Sequence, residues 1–387
     1  MARVCMLVHE HYPRDFRVRR EARVLLAAGM EVTVVSLREP GQSAQDDVDG
    51  AEVVRLPIQR HRGRPMPVYV AEYLAFASAA GAWLAAHRPF DVVHVHAPPD
   101  FLVLAGLVPK LRGARVILDI HDLTPELYRS RFKHRGGAAA QVALKAAERL
   151  SCGLADRVIT VTGVFRDLLV SRGVAADKIL VLHNCPDPAI FKPRRRKKRD
   201  GFTVMHHGTL LHRYGVDVLV EAFFEVSQKI KNAHLDIYGR GDWLPRLKQM
   251  VSDLSLQGSV TLHGETPQEQ VAAALARADL CVVPNRREPF TDLLMPTKLL
   301  EALLVGCPVV ASATRVVQEA FSGGGVYLVP PEDPAALAEA IVQLASDEQA
   351  RKDLAAAGKK KAKRFDWNQE QKKLIALYGD LGVQMST

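Results

Sequence analysis

Short β-rich apolar runs alternate along the chain with segments whose apolar residues recur at helical spacing. In the first half VCMLV (4–8), EVTVVSL (31–37), VVRLPI (53–58), DVVHVHA (91–97), RVILDI (115–120), RVITVT (157–162) and KILVLHN (178–184) are predicted strands. Between the first two, segment 15–28 sets Val18, Ala22, Leu25 and Leu26 on one helical face, and Gly29 closes it. Further helices are predicted around 68–87, 101–111, 137–152 and 164–172. Strands alternating with helices imply parallel strands joined by crossover helices.

The stretch FKPRRRKKRDG (191–201) carries a run of six basic residues and ends in glycine, the mark of a linker. The pattern then restarts. FTVMHHG (202–208), LDIYG (235–239), VTLHG (260–264), LCVVP (280–284), PVVAS (308–312) and VYLV (326–329) are predicted strands. Helices are expected over 215–230 and 243–254. A third starts with Thr266 as N-cap, Pro267 in first position and Glu269 completing a capping box. Asp333-Pro334 opens another, and a last helix from about 367 carries Leu374, Leu377, Tyr378 and Leu381 on one stripe. The expected fold is α/β: two Rossmann-like, doubly wound parallel-sheet domains facing across a cleft. Their expected bounds are 1–190 and 202–365, joined by the linker 191–201. Residues 366–387 form a helix crossing back to the first domain.

Composition narrows the class. The chain has 387 residues, enough for about two domains. With 48% hydrophobic and 25% charged residues it is neither disordered nor fibrous. No uninterrupted apolar run approaches ~18 residues, and the apolar start is too short for a secretory signal, so a cytoplasmic chain without a spanning helix is expected. The five cysteines form no C-x-x-C pair, which argues against a zinc knuckle or a disulfide framework. A net charge of +9 favours anionic partners: nucleotides, lipid head groups or nucleic acid.

Ligands of open parallel sheets bind beyond the carboxyl ends of the strands. Those ends are polar here. The first half offers His9, Glu10 and His11, then His94 and His96, His121 and Asp122, and His183 and Asn184; the second offers His206, His207 and Gly208, then Tyr238 to Gly241, His263 and Gly264, and Asn285. In MPTKLLEALLVGCPVVAS (295–312), Thr297 can cap a helix that Gly306 ends, with Lys298 and Glu301 on one face at i,i+3. A lysine on the first turn of a helix suits a pyrophosphate, and a carboxylate one turn deeper suits ribose hydroxyls. The same pair also fits a plain surface ion pair. Gly208 permits close backbone approach, and Arg213 can fork onto phosphate oxygens or serve as an ordinary loop arginine. Gly239-Arg240-Gly241 lacks the third glycine of a dinucleotide fingerprint. In DIHDLTPELY, Asp122 and Glu126 are candidates to orient or deprotonate an acceptor hydroxyl, or Asp122 or Thr124 caps the next helix. Asp47-Val48-Asp49 matches a metal-binding D-x-D pattern but lies in a polar stretch and reads as a solvated turn.

These segments resemble the family 4 glycosyltransferases of GT-B architecture over essentially the full length. PTKLLEALLVGCPVVAS carries the resemblance most strongly, supported by HGTLLHRYGVDVLVEAF, LDIYGRGD, VTLHGETP, ADLCVVPN and FDWNQEQKKLIALY, and by YPRDFRVRREARVLLAAGMEVTVVS and DVVHVHAPPDFLVLAGLVPKLRGARVILDIHDLTPELY in the first half. The first-half segments resemble a branch found in bacterial polysaccharide and glycan assembly. The resemblance implies transfer of a sugar from a UDP- or GDP-sugar, retention at the anomeric carbon, no metal or other cofactor, and a hydroxyl acceptor that includes lipid-linked glycans. His121, Arg213 and Lys298 are then the catalytic candidates, with His121 at the donor sugar. Donor-binding candidates are Gly208, Thr209, Arg213, Tyr238, Gly239, His263, Gly264, Asn285, Pro296, Thr297, Lys298 and Glu301. Acceptor-side candidates are His9, Arg14, His96, Asp122 and Glu126.

Three positions depart from the family pattern: Leu293 stands where a second glutamate is usual, Thr209 replaces an arginine and Tyr214 a lysine. Lys298 and Arg213 are therefore expected to share the phosphate role. Basic clusters at Arg14, Arg17, Arg19, Arg20 and Arg23, at Arg60, Arg62 and Arg64, and at Arg129, Arg131, Lys133 and Arg135 make an anionic membrane surface a candidate partner. Nucleic acid is not expected, because no recognition motif accompanies the charge. A nucleotide-sugar epimerase of the same fold, or a non-catalytic nucleotide-sugar or glycan-binding subunit, are the alternative readings.

Overall fold

The computed structural model describes residues 1–61, 66–131, 137–193 and 200–383. The basic residues Arg62, Arg64, Lys133, Arg135 and 194–199 lie outside that set. The chain divides into two units, Met1–Asn184 with Asn368–Thr387, and Cys185–Trp367. The boundary thus falls at Asn184, ahead of residue 190, and Phe191 is already buried in the second unit's part of the chain.

Among the described residues unit 1 holds eight strands: β1 (Arg3–Val8), β2 (Glu31–Leu37), β3 (Gln45–Val48), β4 (Ala51–Leu56), β5 (Val92–Ala97), β6 (Arg115–Ile120), β7 (Arg157–Thr160) and β8 (Ile179–Val181). They are ordered β3-β4-β2-β1-β5-β6-β7-β8. All neighbours pair in parallel except the β3–β4 hairpin. The described residues of unit 2 form six: β9 (Phe202–His207), β10 (Ala233–Tyr238), β11 (Val260–Gly264), β12 (Leu280–Val283), β13 (Val309–Ser312) and β14 (Tyr327–Val329), ordered β11-β10-β9-β12-β13-β14 and parallel throughout. Both sheets reverse direction of winding beside their first strand, between β1 and β5 and between β9 and β12. A doubly wound sheet opens its ligand crevice at that point.

The strand interiors are apolar because both faces are covered by helices. The polar stretch read as a solvated turn is instead β3, and its turn residue Asp49 (φ 58°) holds Arg19 and Arg23 of the helix Phe16–Ala27. Arg17 and Arg20 on that helix are buried, so they contribute nothing to a surface patch. Arg14 pairs with Glu39 and Arg60 with Glu10, which neutralises further members of the basic clusters.

Three helix starts differ from expectation. Thr266 is not a cap: its hydroxyl donates to the Gly264 carbonyl, and Pro267 precedes the helix Gln268–Leu275. Thr297 is already helical, and Pro296 stands at the cap of Thr297–Val305. Residues 101–111 split into a 3₁₀ segment, Asp100–Gly106, and a short helix, Leu107–Leu111. The helix Glu348–Ala362 was not legible as a separate element; Asp347 caps it by accepting from the Ala350 N–H. One helix, within Pro67–Ala86, is long and apolar enough to cross a membrane by length and composition. Tyr69, Glu72, Phe76, Ala80 and Leu84 on it are all buried at i,i+3/i+4 spacing, the stripe of a helix laid on a core.

The helix Trp367–Asp380 packs on unit 1. Leu374, Leu377 and Tyr378 join Val4, Met6, Val18, Leu25 and Ile117 in one core. Leu374→Ala is expected to lower unit 1 stability by about 2–5 kcal/mol, read as a drop in denaturation midpoint; an unchanged midpoint would show that this helix is not part of the unit 1 core.

Candidate functional site

In unit 2 the polar strand ends converge. Backbone hydrogen bonds tie the three turns after β9, β10 and β11 together: Gly208 N–H to the Tyr238 carbonyl (2.9 Å) and Gly239 N–H to the Gly264 carbonyl (2.7 Å). Gly239 has φ 142°, and a Cβ there would overlap the Gly208 carbonyl. Gly208 itself (φ 114°) faces Lys298: a Cβ would stand 3.2 Å from the ammonium nitrogen. Lys298 therefore lies against bare backbone.

The Lys298 ammonium is buried and has no hydrogen-bond partner. Burial pushes its pKa down to about 8, partly offset by Cys281 and Glu301. It sits 4.5 Å above the Tyr214 ring, and the Arg213 guanidinium sits 5.3 Å from the same ring and 5.4 Å from Phe290. Tyr214, which replaces the usual lysine, thus holds both cations by its π face. The Arg213 Nε is also buried without a partner. One turn along the helix, Glu301 Oε2 meets His207 Nε2 at 2.6 Å. Asn285, at the end of β12, is buried with neither amide atom hydrogen-bonded. Burying such groups unpaired costs about 1–3 kcal/mol each, a cost a ligand would relieve.

Tyr238 and His263 stack flat, 4.0 Å between centroids and 2° between planes, and Asp236 holds His263 Nε2 at 2.7 Å. They form an aromatic step beside Gly264. Thr209 is exposed. Leu293 is buried, while Glu288 stands beside the 212–214 turn with Oε1 3.6 Å from His212 Nδ1.

The unit 1 candidates separate into two groups. His121, His96 and Asp119 share one cluster: His121 Nε2 lies 3.2 Å from Asp119 Oδ2 and 3.1 Å from His96 Nδ1. Burial opposes charge on His121, but the Asp119 carboxylate outweighs it and holds the imidazole pKa above its ordinary value. The others have structural partners. His9 is buried, pairs with Glu72 at 3.1 Å, packs edge-on to Tyr73 and Phe76, and burial lowers its pKa to about 3. Glu126 is gripped by Arg172 at 2.5 Å, and the same guanidinium forks onto Glu148 at 2.8 and 2.9 Å. Arg14 is engaged by Glu39. Asp122 follows β6, next to His121.

By donor type, Glu21, His94, His96 and Asp119 could hold a metal, since their ligand atoms lie within 4.8 Å of one another. The cluster already contains a cation. Arg17 donates twice to Asp119 (3.0 and 3.1 Å) and its Nε lies 3.1 Å from Glu21.

Two family models match: glycosyl transferase 4-like domain over residues 15–185 and glycosyl transferases group 1 over 189–361. This chain is a family 4 type glycosyltransferase. Among curated proteins it is similar to D-inositol 3-phosphate glycosyltransferase 1 of Catenulispora acidiphila, 28% identical over 76% of this chain and 73% of that one. It is likewise 28% identical to the phosphatidyl-myo-inositol mannosyltransferase of Mycobacterium leprae, over 92% of this chain and 90% of the relative. Among solved structures, sucrose-phosphate synthase from Thermosynechococcus elongatus superposes with TM-score 0.80 at 22% identity, covering 98% of this chain and 99% of that one, which shows the GT-B fold.

In this glycosyltransferase the sequence candidates Lys298, Gly208 and Arg213 lie together, with Glu301 one turn along the Lys298 helix, while the pairings of His207 with Glu301 and of Asp119 with His121 were not foreseen. The i,i+3 and strand-end patterns reveal the former set; pairings between residues 94 positions apart, as in His207–Glu301, leave no local signal.

Gly208→Ala is expected to destabilise the glycosyltransferase by roughly 1 kcal/mol or more, through positive-φ strain, and to displace Lys298. Gly258→Ala, where a Cβ meets open space, serves as control. Thermal melting and binding of nucleoside diphosphates check this; equal behaviour of both variants would remove the close approach of Lys298 to backbone from the account.

Proposed function

We propose that this glycosyltransferase moves a sugar from a nucleoside-diphosphate sugar, UDP- or GDP-linked, to a hydroxyl acceptor, with retention of anomeric configuration and without a metal. The observation that carries the reading is the buried, unpartnered Lys298 ammonium, laid against Gly208 with Arg213 on the other contact of the same tyrosine ring. Two cations at an uncapped helix start suit a diphosphate. They also stabilise the negative charge that grows on the leaving group, the role a divalent metal fills elsewhere. Glu301, oriented by His207, accepts from ribose hydroxyls. The Tyr238–His263 stack and Gly264 offer a surface for the base, and the unpaired Asn285 amide supplies one donor and one acceptor to the donor molecule. His121 acts at the donor sugar.

The acceptor in this reading is a glycan, a small polyol or a lipid-linked hydroxyl compound reached at the inner face of a membrane. Two relatives are named for inositol-phosphate and phosphatidylinositol acceptors, both anionic. Exposed Val70 and Leu74 on the helix Met66–Ala86, with exposed Leu104, Leu107 and Leu111 on the segments packed against that helix, support peripheral attachment. Flotation with anionic vesicles checks it: co-flotation that weakens with salt is expected, and none at any salt concentration would overturn it.

For the donor site, thermal-shift titration with UDP, GDP and their sugars is the test. One diphosphate is expected to stabilise the wild type, by roughly 2.7 kcal/mol at a hundredfold excess over Kd. Lys298→Ala is expected to weaken it about 10- to 100-fold, the worth of a charge-assisted hydrogen bond. Response to none, or an unchanged response in Lys298→Ala and Glu301→Ala, would refute the site. Product analysis then separates transfer from epimerisation of the donor or from binding without turnover.

The lowered Lys298 pKa sets a pH dependence. As pH rises through about 8 the free site loses its ammonium proton, so diphosphate affinity falls by up to about tenfold per unit and binding takes up a proton. The unliganded fold behaves oppositely: between about 8 and the ordinary lysine value near 10.4 the unfolded chain binds more protons, so this residue's contribution to stability rises with pH. Calorimetry at pH 7 and 9 in buffers of different ionisation enthalpy checks the uptake, which Lys298→Ala should abolish.

A further inference from the structure

Deepening the reading of His121 as the unit 1 residue at the donor sugar, we propose that Asp119 is its positioning residue, with Glu21 the group that balances its charge through the shared Arg17 guanidinium. Asp119 lies on β6 with its carboxylate fully buried. Both hydrogen-bonding contacts of the His121 ring run through Nε2, to Asp119 and to His96 Nδ1. A carboxylate accepting at Nε2 fixes the ring plane and the tautomer, and leaves Nδ1 as the nitrogen free to meet a substrate. The His121 side chain is 17% exposed whereas Asp119, His94 and His96 are all but sealed. The cluster therefore reaches solvent through His121.

The charges facing His121 are these. Asp15, Arg17, Arg20 and Glu21 come from the first helix and its cap. His94 and His96 come from β5, Asp119 from β6, and Tyr378 from the C-terminal helix, with its hydroxyl 2.9 Å from His94 Nδ1. His94 and His96 stack at 4.3 Å, and burial lowers both of their pKa values, so they are neutral. Arg17 cancels Asp119, and Arg20 offsets Asp15. That leaves Glu21, whose carboxylate oxygens have no hydrogen-bond partner and which burial raises to about 7, against His121. A buried cluster of this kind avoids net charge. It is neutral with Glu21 protonated and His121 neutral, or with Glu21 ionised and His121 cationic. His121 can therefore take up a proton without charging the core.

The test uses the full-length protein with labelled histidine, following His121 by NMR titration beside steady-state turnover of the donor. Asp119→Asn is expected to lower the His121 pKa by roughly 1–3 units, the effect of losing a carboxylate partner at contact. It should cut kcat by about 100-fold or more while changing donor KM less than about threefold, since the donor is held in unit 2. Glu21→Gln keeps the Arg17–Asp119 fork, so it serves if Asp119→Asn does not fold. It should also lower the His121 pKa, and should move the acid side of the kcat profile with it. An unmoved His121 titration in both variants overturns the proposal. A shifted titration with full turnover in His121→Ala leaves the positioning intact and refutes the role of His121 in transfer.

Discussion

A carboxylate sealed in the first sheet sets the terms for unit 1. Asp119 is the last residue but one of β6 and has no access to water. An uncompensated charge there would cost several kcal/mol, so a cation must be brought to it. Arg17 supplies it, crossing from the first helix to fork onto both carboxylate oxygens, and spends its remaining nitrogen on the Leu182 carbonyl after β8. One side chain thereby fixes the first helix, strand β6 and the end of β8 against each other. The histidines of β5 fill the space around that pair, and Tyr378 closes it from the C-terminal helix. The position of the chain's last helix therefore depends on a polar contact as well as on Leu374 and Leu377.

Unit 2 shares the strand order but not the electrostatics. At the switch point of unit 1 the buried carboxylates of Asp119 and Glu21 both face the Arg17 guanidinium. At the corresponding point of unit 2 the close pair is Glu301 with His207, while Lys298, the Arg213 Nε and Asn285 are buried and unpaired. A fold does not keep such groups for stability, since each costs free energy until something binds. On the proposed function, it is the second sheet that takes up the anionic donor, and these are the groups the donor would pair. The first presents a single partly exposed imidazole backed by a neutral core.

Much of this was legible in the chain. Apolar runs marked thirteen of the described strands, and the i,i+3 spacing of Lys298 and Glu301 put them on one helical face. The β3 strand escaped because Gln45, Asp46 and Asp47 are exposed on an antiparallel edge, where no face needs to be apolar. Thr266 misled because a hydroxyl can satisfy a carbonyl behind it as readily as an amide ahead of it. Counting arginines as surface failed at Arg17 and Arg20 for a different reason. Their partners are Asp119 and Asn184, more than a hundred residues away, and no local pattern encodes such a contact.

The departures from the family pattern then acquire a physical account. A lysine at position 214 and an arginine at 209, added to Lys298 and Arg213, would crowd four cations around one diphosphate. Here Thr209 is neutral and exposed, and Tyr214 turns its ring toward both remaining cations. The ring's negative face attracts an ammonium and a guanidinium without neutralising either, by about 0.5–2 kcal/mol for each contact. A carboxylate in that place would have cancelled the positive charge that the proposed diphosphate would meet. The aromatic substitution thus lets a lysine move onto the helix, close to the bare backbone of Gly208, while two positive charges are kept separate, oriented and unspent.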